Sequence, residues 1–262
     1  MSRTKTARRR FRHVSQLLVV VVGLVTVGSL YSAFAPGSGA DTKASDAQAV
    51  KEGKKLYESS CVTCHGNNGQ GVQGQGPSLI GVGSAAVEFQ VTTGRMPAAR
   101  QEAQIERKKA KFDQTQAEQM GAYIQSLGGG PQLPAKNEDL RDGDMANGGR
   151  LFRLNCASCH NAVGEGGALS SGKFAPSLRK ATDRELYGAM LTGPQNMPVF
   201  GDNQLTPQDK KDIITYVQAV KSDKDPGGHG LGRIGPVSEG LVIWLGGITA
   251  LLLITLWIGV KS

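Results

Sequence analysis

A pattern of two cysteines and a histidine occurs twice in this chain, and the two copies contain every cysteine that the chain has. The first copy is Cys61-Val62-Thr63-Cys64-His65, and the second is Cys156-Ala157-Ser158-Cys159-His160. Two thiols three residues apart can each form a thioether with a vinyl group of one porphyrin, and the histidine that follows then lies beneath the iron. The pattern therefore predicts two covalently bound haem c groups. The predicted attachment residues are Cys61, Cys64, Cys156 and Cys159, and the predicted iron ligands include His65 and His160.

Three other kinds of site use paired cysteines, and each explains the pattern less well. A redox-active C-x-x-C pair needs no following histidine, and nothing around these pairs indicates a βαβ unit. The four cysteines could together hold a structural zinc ion, but both histidines would then have no role. A disulfide across three residues closes almost no loop and would stabilise the fold little.

Two apolar segments lie near the ends of the chain, and each is long enough to cross a bilayer as a helix. Residues 17–35 are almost wholly apolar, and residues 241–260 form a second apolar run. About 20 apolar residues suffice for a transmembrane helix. Trp244 and Trp257 lie near the two ends of the second run, where interfacial aromatic residues belong. We therefore predict two membrane spans.

The first apolar segment has an alternative interpretation as a cleaved signal peptide. The sequence Ala33-Phe34-Ala35 resembles a signal-peptidase site. The apolar run is longer than the usual signal-peptide core, however, and Pro36 would directly follow the cut. Segment length favours a retained anchor, and the alternative of cleavage stays open.

Basic residues at the two ends of the chain account for most of its formal charge of +8. Of the 30 basic residues, six precede the first apolar run and one follows the last, which leaves 23 basic against 22 acidic residues in the body of the chain. The nearly neutral body gives no indication of nucleic-acid binding. Basic residues next to a span stay on the cytoplasmic side, so residues 1–16 are predicted to be a cytoplasmic tail and the body to lie outside the cytoplasm. The seven residues are Arg3, Lys5, Arg8, Arg9, Arg10, Arg12 and Lys261.

The body of the chain contains the same series of features twice. A glycine, a leucine and an aromatic residue stand eight, five and four residues before the first cysteine of each copy, and a Pro-Ser-Leu, a Met-Pro and a helix with tyrosine follow. Repetition in one order indicates two homologous domains. A Gly/Pro-rich linker at residues 128–140 lies between them, and a second linker is predicted at residues 224–240. The matched residues are Gly53, Leu56, Tyr57, Pro77, Met96 and Tyr123, against Gly148, Leu151, Phe152, Pro176, Met197 and Tyr216.

Local signals predict several loops and helix starts. The five glycines between residues 66 and 76 exclude a stable helix or strand there. Residues 102–111 are highly charged and are predicted to be a solvated helical insertion on the surface. A helix is predicted to begin at Asp113, with Gln116 completing a capping box, and another to begin after Thr206.

Elimination narrows the choice of the sixth iron ligand. Of the four histidines, His13 lies in the basic tail and His229 in the last linker, which argues against a second histidine at either iron. A methionine thioether suits low-spin haem iron and raises its reduction potential. Met96 and Met197 each precede a proline in a glycine-containing loop, 31 and 37 residues after their histidine. We therefore predict Met96 and Met197 as axial ligands.

The other methionines and two prolines have separate predicted roles. Met120 and Met190 lie on helical patterns and are interpreted as core residues, and Met145 is interpreted as a surface residue. A metal-bound histidine usually donates its other N–H to a carbonyl group. The loops that contain Pro77 and Pro176 could supply that carbonyl.

With these residues in order, each domain resembles the class I cytochrome c family. The shared pattern is a first helix with glycine and an aromatic residue, C-x-x-C-H, Gly-Pro-x-Leu, a Met-Pro loop and a last helix with an aromatic residue. The resemblance implies a mainly α fold in which Tyr57 crosses Tyr123 and Phe152 crosses Tyr216. The second domain departs from the pattern, because Ala175 replaces the glycine before the proline. The resemblance places the two domains at residues 46–130 and 141–223. The expected architecture is two tandem class I cytochrome c domains between an N-terminal and a C-terminal transmembrane helix.

The whole layout is similar to the family of dihaem cytochrome cc subunits of actinobacterial menaquinol–cytochrome c reductases. The likeness extends to the residues around the last span, from Gly228 to Gly232, at Pro236, Glu239 and Gly240, and at Trp257 to Gly259. It implies a cytochrome bc complex with a cytochrome b subunit and a Rieske iron–sulfur subunit. It also implies that the second haem passes electrons to a cytochrome oxidase within a supercomplex, although the residues do not establish which domain faces donor and which acceptor.

Two other assignments stay open from the sequence. One is the electron-transfer subunit of a periplasmic dehydrogenase, which would need no second span. The other is a dihaem subunit of a haem–copper oxidase, which usually carries a single N-terminal anchor. In each case the chain passes single electrons and has no catalytic site of its own, because no triad, phosphate loop or carboxylate pair is found at a recognisable spacing. The expected location is the cell membrane, with both haem domains on the outer side.

Overall fold

The protein is mainly helical, as the sequence predicted. The structure, a computed structural model, describes residues 16, 18–27, 44–222 and 236–261, and residues up to Lys43 and from Ala44 onward form two separate units. Two short antiparallel strands, β1 (Gly167–Ala168) and β2 (Phe174–Ala175), accompany the helices. The helices are α1 (Leu18–Val27), α2 (Ala44–Ser60), α3 (Val62–His65), α4 (Gly83–Thr92), α5 (Gln114–Ser126), α6 (Met145–Asn155), α7 (Ala157–His160), α8 (Asp183–Thr192), α9 (Pro207–Ser222) and α10 (Pro236–Lys261).

In the first domain, α2 crosses α5 at a glycine. A Cβ atom at Gly53 would overlap with the backbone carbonyl of Gln119, so only glycine allows the two helices to come this close. The rings of Tyr57 and Tyr123 meet beside the crossing, with centroids 5.2 Å apart. The predicted contact between these two tyrosines is confirmed.

The second domain repeats this crossing with α6 and α9. A Cβ atom at Gly148 would overlap with the backbone carbonyl of Asp212. The rings of Phe152 and Tyr216 lie 5.4 Å apart, which confirms the second predicted contact. The core beneath them is apolar and includes Leu151, Leu186, Ile213, Ile214 and Val217.

Side-chain caps explain where the helices begin. The Asp113 carboxylate accepts from the Gln116 N–H at 2.8 Å, and the Gln116 side chain accepts from the Asp113 N–H, so the predicted capping box is confirmed. Thr206 caps α9 as predicted, since its hydroxyl accepts from the Asp209 N–H at 3.1 Å. Each cap satisfies backbone N–H groups that have no partner within the first turn.

The prediction that residues 102–111 form a solvated helix is wrong. The segment is irregular and runs along the second domain. The Gln104 side chain accepts from the Phe174 N–H at 2.9 Å and donates to the Phe174 carbonyl at 2.6 Å. The Gln195 side chain exchanges the same pair of hydrogen bonds with the backbone of Ile105. Long-range amide pairing therefore replaces the intrahelical hydrogen bonds that local composition suggested.

Two ion pairs also join the domains, beside the packing of α4 against α8. Arg184 on α8 donates to both carboxylate oxygens of Glu88 on α4, at 2.8 and 3.1 Å. Arg107, in the irregular segment, donates to both oxygens of Glu185 at 2.9 and 2.7 Å. Both glutamates are buried, so these pairs lie inside the contact rather than on its rim.

Among the described residues, one helix is long and apolar enough to cross a membrane, namely Gly240–Val260 within α10. Because α10 begins at Pro236, the last five residues of the segment interpreted as a linker are helical. The described part of the first predicted span, Leu18–Val27, is a shorter apolar helix. Residues 28–35, most of the basic tail and residues 223–235 lie outside the described part of the chain.

Candidate haem-binding sites

Each C-x-x-C-H copy forms one short helical turn directly after the first long helix of its domain. The Cys61 N–H donates to the Tyr57 carbonyl and the His65 N–H to the Cys61 carbonyl, at 2.8 and 3.0 Å. This turn brings the first cysteine of each copy to the apolar core, so that Cys61 packs against the core of the first domain and Cys156 belongs to that of the second. All four thiols are free.

Both motif histidines are oriented by a proline carbonyl, as predicted. The Nδ1 atom of His65 lies 2.8 Å from the Pro77 carbonyl oxygen, and that of His160 lies 3.0 Å from the Pro176 carbonyl oxygen. An Nδ1–H donor in this bond leaves Nε2 as the ring nitrogen for a metal. The pKa of His160 is lowered, because the effect of burial outweighs the opposite effect of the hydrogen bond to the Pro176 carbonyl. The lowered pKa favours the neutral, metal-binding imidazole.

The loop after each motif approaches its second cysteine so closely that a glycine is needed at the contact. In the first domain Val72 pairs with Gly76, and a Cβ at Gly76 would be 2.7 Å from the Cys64 carbonyl oxygen. In the second domain Gly167 pairs with Ala175, and it is Gly167 that faces the Cys159 carbonyl. The departure at Ala175 is therefore compensated, because the glycine has moved to the partner strand.

A tyrosine hydroxyl holds the start of each loop, a role that no sequence pattern predicted. The Tyr57 hydroxyl donates to the Gly66 carbonyl at 2.6 Å in the first domain. Phe152 replaces Tyr57 in the second domain, and there the Tyr216 hydroxyl donates to the Ala162 carbonyl at 3.0 Å. The hydroxyl therefore comes from the first helix in one domain and from the last helix in the other.

A cleft in the second domain brings the predicted haem ligands together. Cys156, Cys159 and His160 line it together with Met197, the predicted sixth ligand. Its other walls are largely apolar and include Leu178, Leu186, Ile213 and Val217. An imidazole nitrogen, a thioether sulfur, two free thiols and apolar walls are the groups that a haem c requires, so the residues fit this cofactor.

In the first domain, Cys61 and Met96 pack against the same cluster of buried residues, Val91, Ala117 and Met120. The Met96 N–H donates to the Gln90 carbonyl at 3.0 Å, which fixes the loop to the end of α4. The donor set matches that of the second domain. The axial roles of Met96 and Met197 stay predictions.

The other methionines lie where the sequence placed them. Met120 and Met190 are buried, and Met145 is exposed. Met190 also lines the second cleft. It belongs to the core of that domain, whereas Met197 lies in the loop that faces the motif.

Comparisons with known proteins give the family. The family model "Cytochrome c" matches residues 50–128, and "Cytochrome C oxidase, cbb3-type, subunit III" matches residues 143–217. A "Cytochrome bc1 complex cytochrome c subunit" from Mycobacterium leprae is 50% identical over 95% of this chain and 88% of its own length. A protein of the same description from Corynebacterium diphtheriae is 47% identical over 98% of this chain and 97% of its own length. The chain belongs to the family of cytochrome bc1 complex cytochrome c subunits.

A more distant relative lies outside this family. A "Cbb3-type cytochrome c oxidase" subunit from Cereibacter sphaeroides is 28% identical over 66% of this chain and 61% of its own length. The identity to the cytochrome bc1 complex cytochrome c subunits is much higher and covers nearly the full chain.

As a member of the cytochrome bc1 complex cytochrome c subunits, the chain shows features that disfavour the other uses of paired cysteines. Burial raises the pKa of Cys61 to about 11 and that of Cys156 to about 12. A redox-active C-x-x-C pair needs a cysteine with a lowered pKa. Within residues 44–222 and the other described stretches, no three His, Cys, Asp or Glu side chains form a cluster that could hold zinc.

In this cytochrome c subunit the first domain forms part of the second cleft, which local sequence patterns did not predict. Phe89, Arg95, Gln104 and Arg107 line the cleft beside the second C-x-x-C-H motif. The position of Arg95 directly before Met96 was the available signal, since the loop that carries a predicted iron ligand also carries a cation. The partners of Gln104 and Arg107, namely Phe174 and Glu185, are 70 and 78 positions away in the chain, which local patterns do not reveal.

Proposed function

We propose that this chain carries single electrons in the quinol–cytochrome c reductase, from the Rieske iron–sulfur and cytochrome b subunits toward a terminal cytochrome oxidase. The named relatives support a role in the cytochrome bc1 complex, because they match over nearly the full chain. The observation that carries the proposal is the second cleft, where Cys156, Cys159, His160 and Met197 line one apolar cavity. Haem c supplies reversible one-electron chemistry when it is bound there.

The protein's own residues would hold each cofactor on both faces. Four cysteines provide the thioethers, two in each domain, and His65 and His160 provide the proximal nitrogens. The carbonyls of Pro77 and Pro176 fix the orientation of these two rings. With Met96 and Met197 on the opposite sides, no iron position is left for oxygen or substrate, and the chain would act only as an electron carrier.

The chain would be held in the cell membrane by two helices. The apolar helix Gly240–Val260 supports a C-terminal span. The apolar run at residues 17–35 would form the second anchor, with the basic tail in the cytoplasm. Residues 46–130 and 141–223 would then form two haem domains on the outer side, where the cytochrome oxidase of a supercomplex could receive electrons directly.

A second candidate is a subunit of a haem–copper oxidase. The match of residues 143–217 to the oxidase family model supports it, together with the relative from Cereibacter sphaeroides. The match covers one domain, whereas the reductase relatives match across both domains and the last helix. We therefore place the reductase first.

Gentle detergent extraction followed by spectroscopy tests the function. We expect the chain to retain haem on a denaturing gel, and to purify with b-type haem and the paramagnetic signal of a Rieske cluster. The haem content should be two per chain and should fall to one in a variant with Cys61→Ser and Cys64→Ser. Purification with a haem–copper spectrum alone would favour the oxidase, and a denatured chain without haem would refute both.

A further inference from the structure

The guanidinium of Arg95 is buried without enough hydrogen-bond partners. The residue is 8% exposed, and its Nε and Nη1 atoms are buried and donate to no partner. Among the side chains in the described part of the protein, no other buried nitrogen or oxygen is left in this condition. A buried guanidinium without hydrogen bonds costs several kcal/mol or more on an order-of-magnitude scale, so a partner for this group is expected.

The neighbouring protein groups do not supply the missing partner. The Phe89 ring lies below the guanidinium, 5.0 Å from its central carbon, and contributes a cation–π contact but no acceptor. Glu185 is the nearby carboxylate, but both of its oxygens already accept from Arg107. One of them also accepts from the Thr182 N–H at 2.9 Å. Arg107 thus neutralises the charge of Glu185, and the charge of Arg95 remains uncompensated.

Arg95 lines the cleft of the other domain. Arg95 follows α4 in the first domain, yet it lies on the wall of the cavity that contains Cys156, His160 and Met197. The walls of the cleft are otherwise largely apolar, and the charged lining residues Arg107 and Glu185 are already paired with each other. A group that fills this cleft must therefore carry an acceptor on the side of the first domain, and a negative charge would match best.

We infer that Arg95 of the first domain binds a propionate carboxylate of the haem held by the second domain. This inference rests on the proposed function, because it requires a haem at Cys156 and Cys159. The propionates are the anionic groups of haem c, and guanidinium–carboxylate pairs are the strongest hydrogen-bonded pairs available to a protein. A neutral occupant would leave the Arg95 charge buried and uncompensated.

One loop would then serve both cofactors. Arg95 would bind the second haem while the next residue, Met96, is the predicted ligand of the first iron. The joint between the domains would also be incomplete without the second haem, because an interdomain ion pair would lack its anionic half. Arg95 is a positioning residue in this scheme and takes no part in proton or electron transfer.

Redox titration of the haem-loaded full chain in detergent tests the inference. Removing a buried positive charge next to a haem disfavours its reduction, so Arg95→Gln should lower the midpoint potential of the second haem. Arg95→Lys keeps the charge and should restore most of that potential. The matched control is Arg179→Gln, because Arg179 is half exposed, is paired with Glu165 and lies next to the cleft residue Leu178. It should shift the potential much less.

Resonance Raman spectroscopy of the same samples reports on the propionate directly. Its bending band should move in Arg95→Gln and in Arg95→Lys, which places the donors differently, but not in Arg179→Gln. The two haems are assigned with Met96→His and Met197→His, each of which should displace one potential. If Arg95→Gln does not accumulate, the Lys variant and its Raman band decide the question.

Two results would overturn the inference. One is that Arg95→Gln leaves both the midpoint potential and the propionate Raman band of the second haem unchanged. A shift confined to the first haem is the other, because it would show an effect through Met96 alone. A chain with two covalent haems and either result refutes only this inference, whereas a chain without covalent haem refutes the proposed function as well.

Discussion

The Glu88 carboxylate lies between two elements and is held by Arg184, whose guanidinium donates to both of its oxygens at 2.8 and 3.1 Å. The Gln114 side chain donates a third hydrogen bond at 2.8 Å. Arg184 donates in addition to the Pro134 carbonyl at 3.0 Å, so the same side chain contacts α4 and the linker. The hydrogen bond to Glu88 raises the pKa of Arg184 despite its partial burial.

Arg184→Ala should therefore destabilise the protein strongly. Removing one member of a buried pair leaves the other charge uncompensated, at a cost of about 3–5 kcal/mol. The matched control is Arg141→Ala on the exposed pair with Asp183, which should cost about 0–1 kcal/mol. Denaturant unfolding of the full chain, followed by haem absorbance, measures both. An equal decrease in the free energy of unfolding in Arg184→Ala and Arg141→Ala would show that Glu88 is not effectively buried.

Gly148→Ala should destabilise the crossing of α6 and α9. The added methyl group would overlap with the Asp212 carbonyl, and relieving such overpacking costs about 1–3 kcal/mol or more. Gly188→Ala on α8 is the control, since a Cβ there meets only ordinary contacts of 3.4 Å or longer. That change should be neutral or stabilise the helix by about 0.5–1 kcal/mol. Thermal unfolding should show a lower melting temperature in Gly148→Ala but not in Gly188→Ala, and similar decreases in the two variants would refute the close crossing.

Tyr57→Phe should cost more than Tyr216→Phe. Loss of the Tyr57 hydroxyl leaves the buried Gly66 carbonyl with only the long hydrogen bond from the Gly69 N–H at 3.4 Å, at a cost of about 1–3 kcal/mol. The corresponding bond of Tyr216 is exposed, so water can replace it and the loss should be about 1 kcal/mol or less. Unfolding free energies of the two variants give the comparison. The opposite order would mean that Gly66 finds another donor.

Asp212 should make the stability of the second domain depend on acidic pH. Burial raises the pKa of its carboxyl, but hydrogen bonds from Asn147, the Asp144 N–H and Gln208 outweigh burial and hold the pKa below its usual value. A depressed folded-state pKa means that the stabilisation is complete above the unfolded value, about 3.9. It is lost as the pH falls through the folded-state pKa.

Asp212→Asn removes this titration. We expect the variant to be about 1–3 kcal/mol less stable than the wild type at pH 7, with a difference that shrinks as the pH falls below about 4. Urea unfolding at pH 7, 5 and 3 measures it. A difference that is the same at pH 3 and pH 7 would contradict the assignment.

Met197→Ala should lower the potential of one haem sharply and open it to carbon monoxide, because the soft thioether that raises the potential is removed. Met190→Leu is the control, since Met190 lines the same cleft but is a core residue. A volume-conserving change there should cost less than about 1.5 kcal/mol and leave the potential in place. A carbon monoxide spectrum in Met190→Leu but not in Met197→Ala would reverse the two roles.

Features fixed by short spacing or by the internal repeat could be predicted from the sequence. The C-x-x-C-H turns and the cap at Asp113 depend on neighbours in the chain or on a pattern present twice, and the contact of Tyr57 with Tyr123 was implied by the resemblance to class I cytochrome c. The pairing of Gln104 with Phe174 and of Ile105 with Gln195 could not, because each joins residues 70 or 90 positions apart. The charge of residues 102–111 indicated solvent exposure, but it gave no information on the backbone groups of the second domain.

The paired hydrogen bonds of Gln104 and Gln195 limit how this carrier can work. Together with the two ion pairs they fasten the first domain to the second at four separate places. Domains joined in this way would not separate in order to bind one partner protein after another. Redox partners would instead dock at fixed surfaces of the protein. Their docking, rather than a hinge motion between the domains, would then limit the rate of electron transfer.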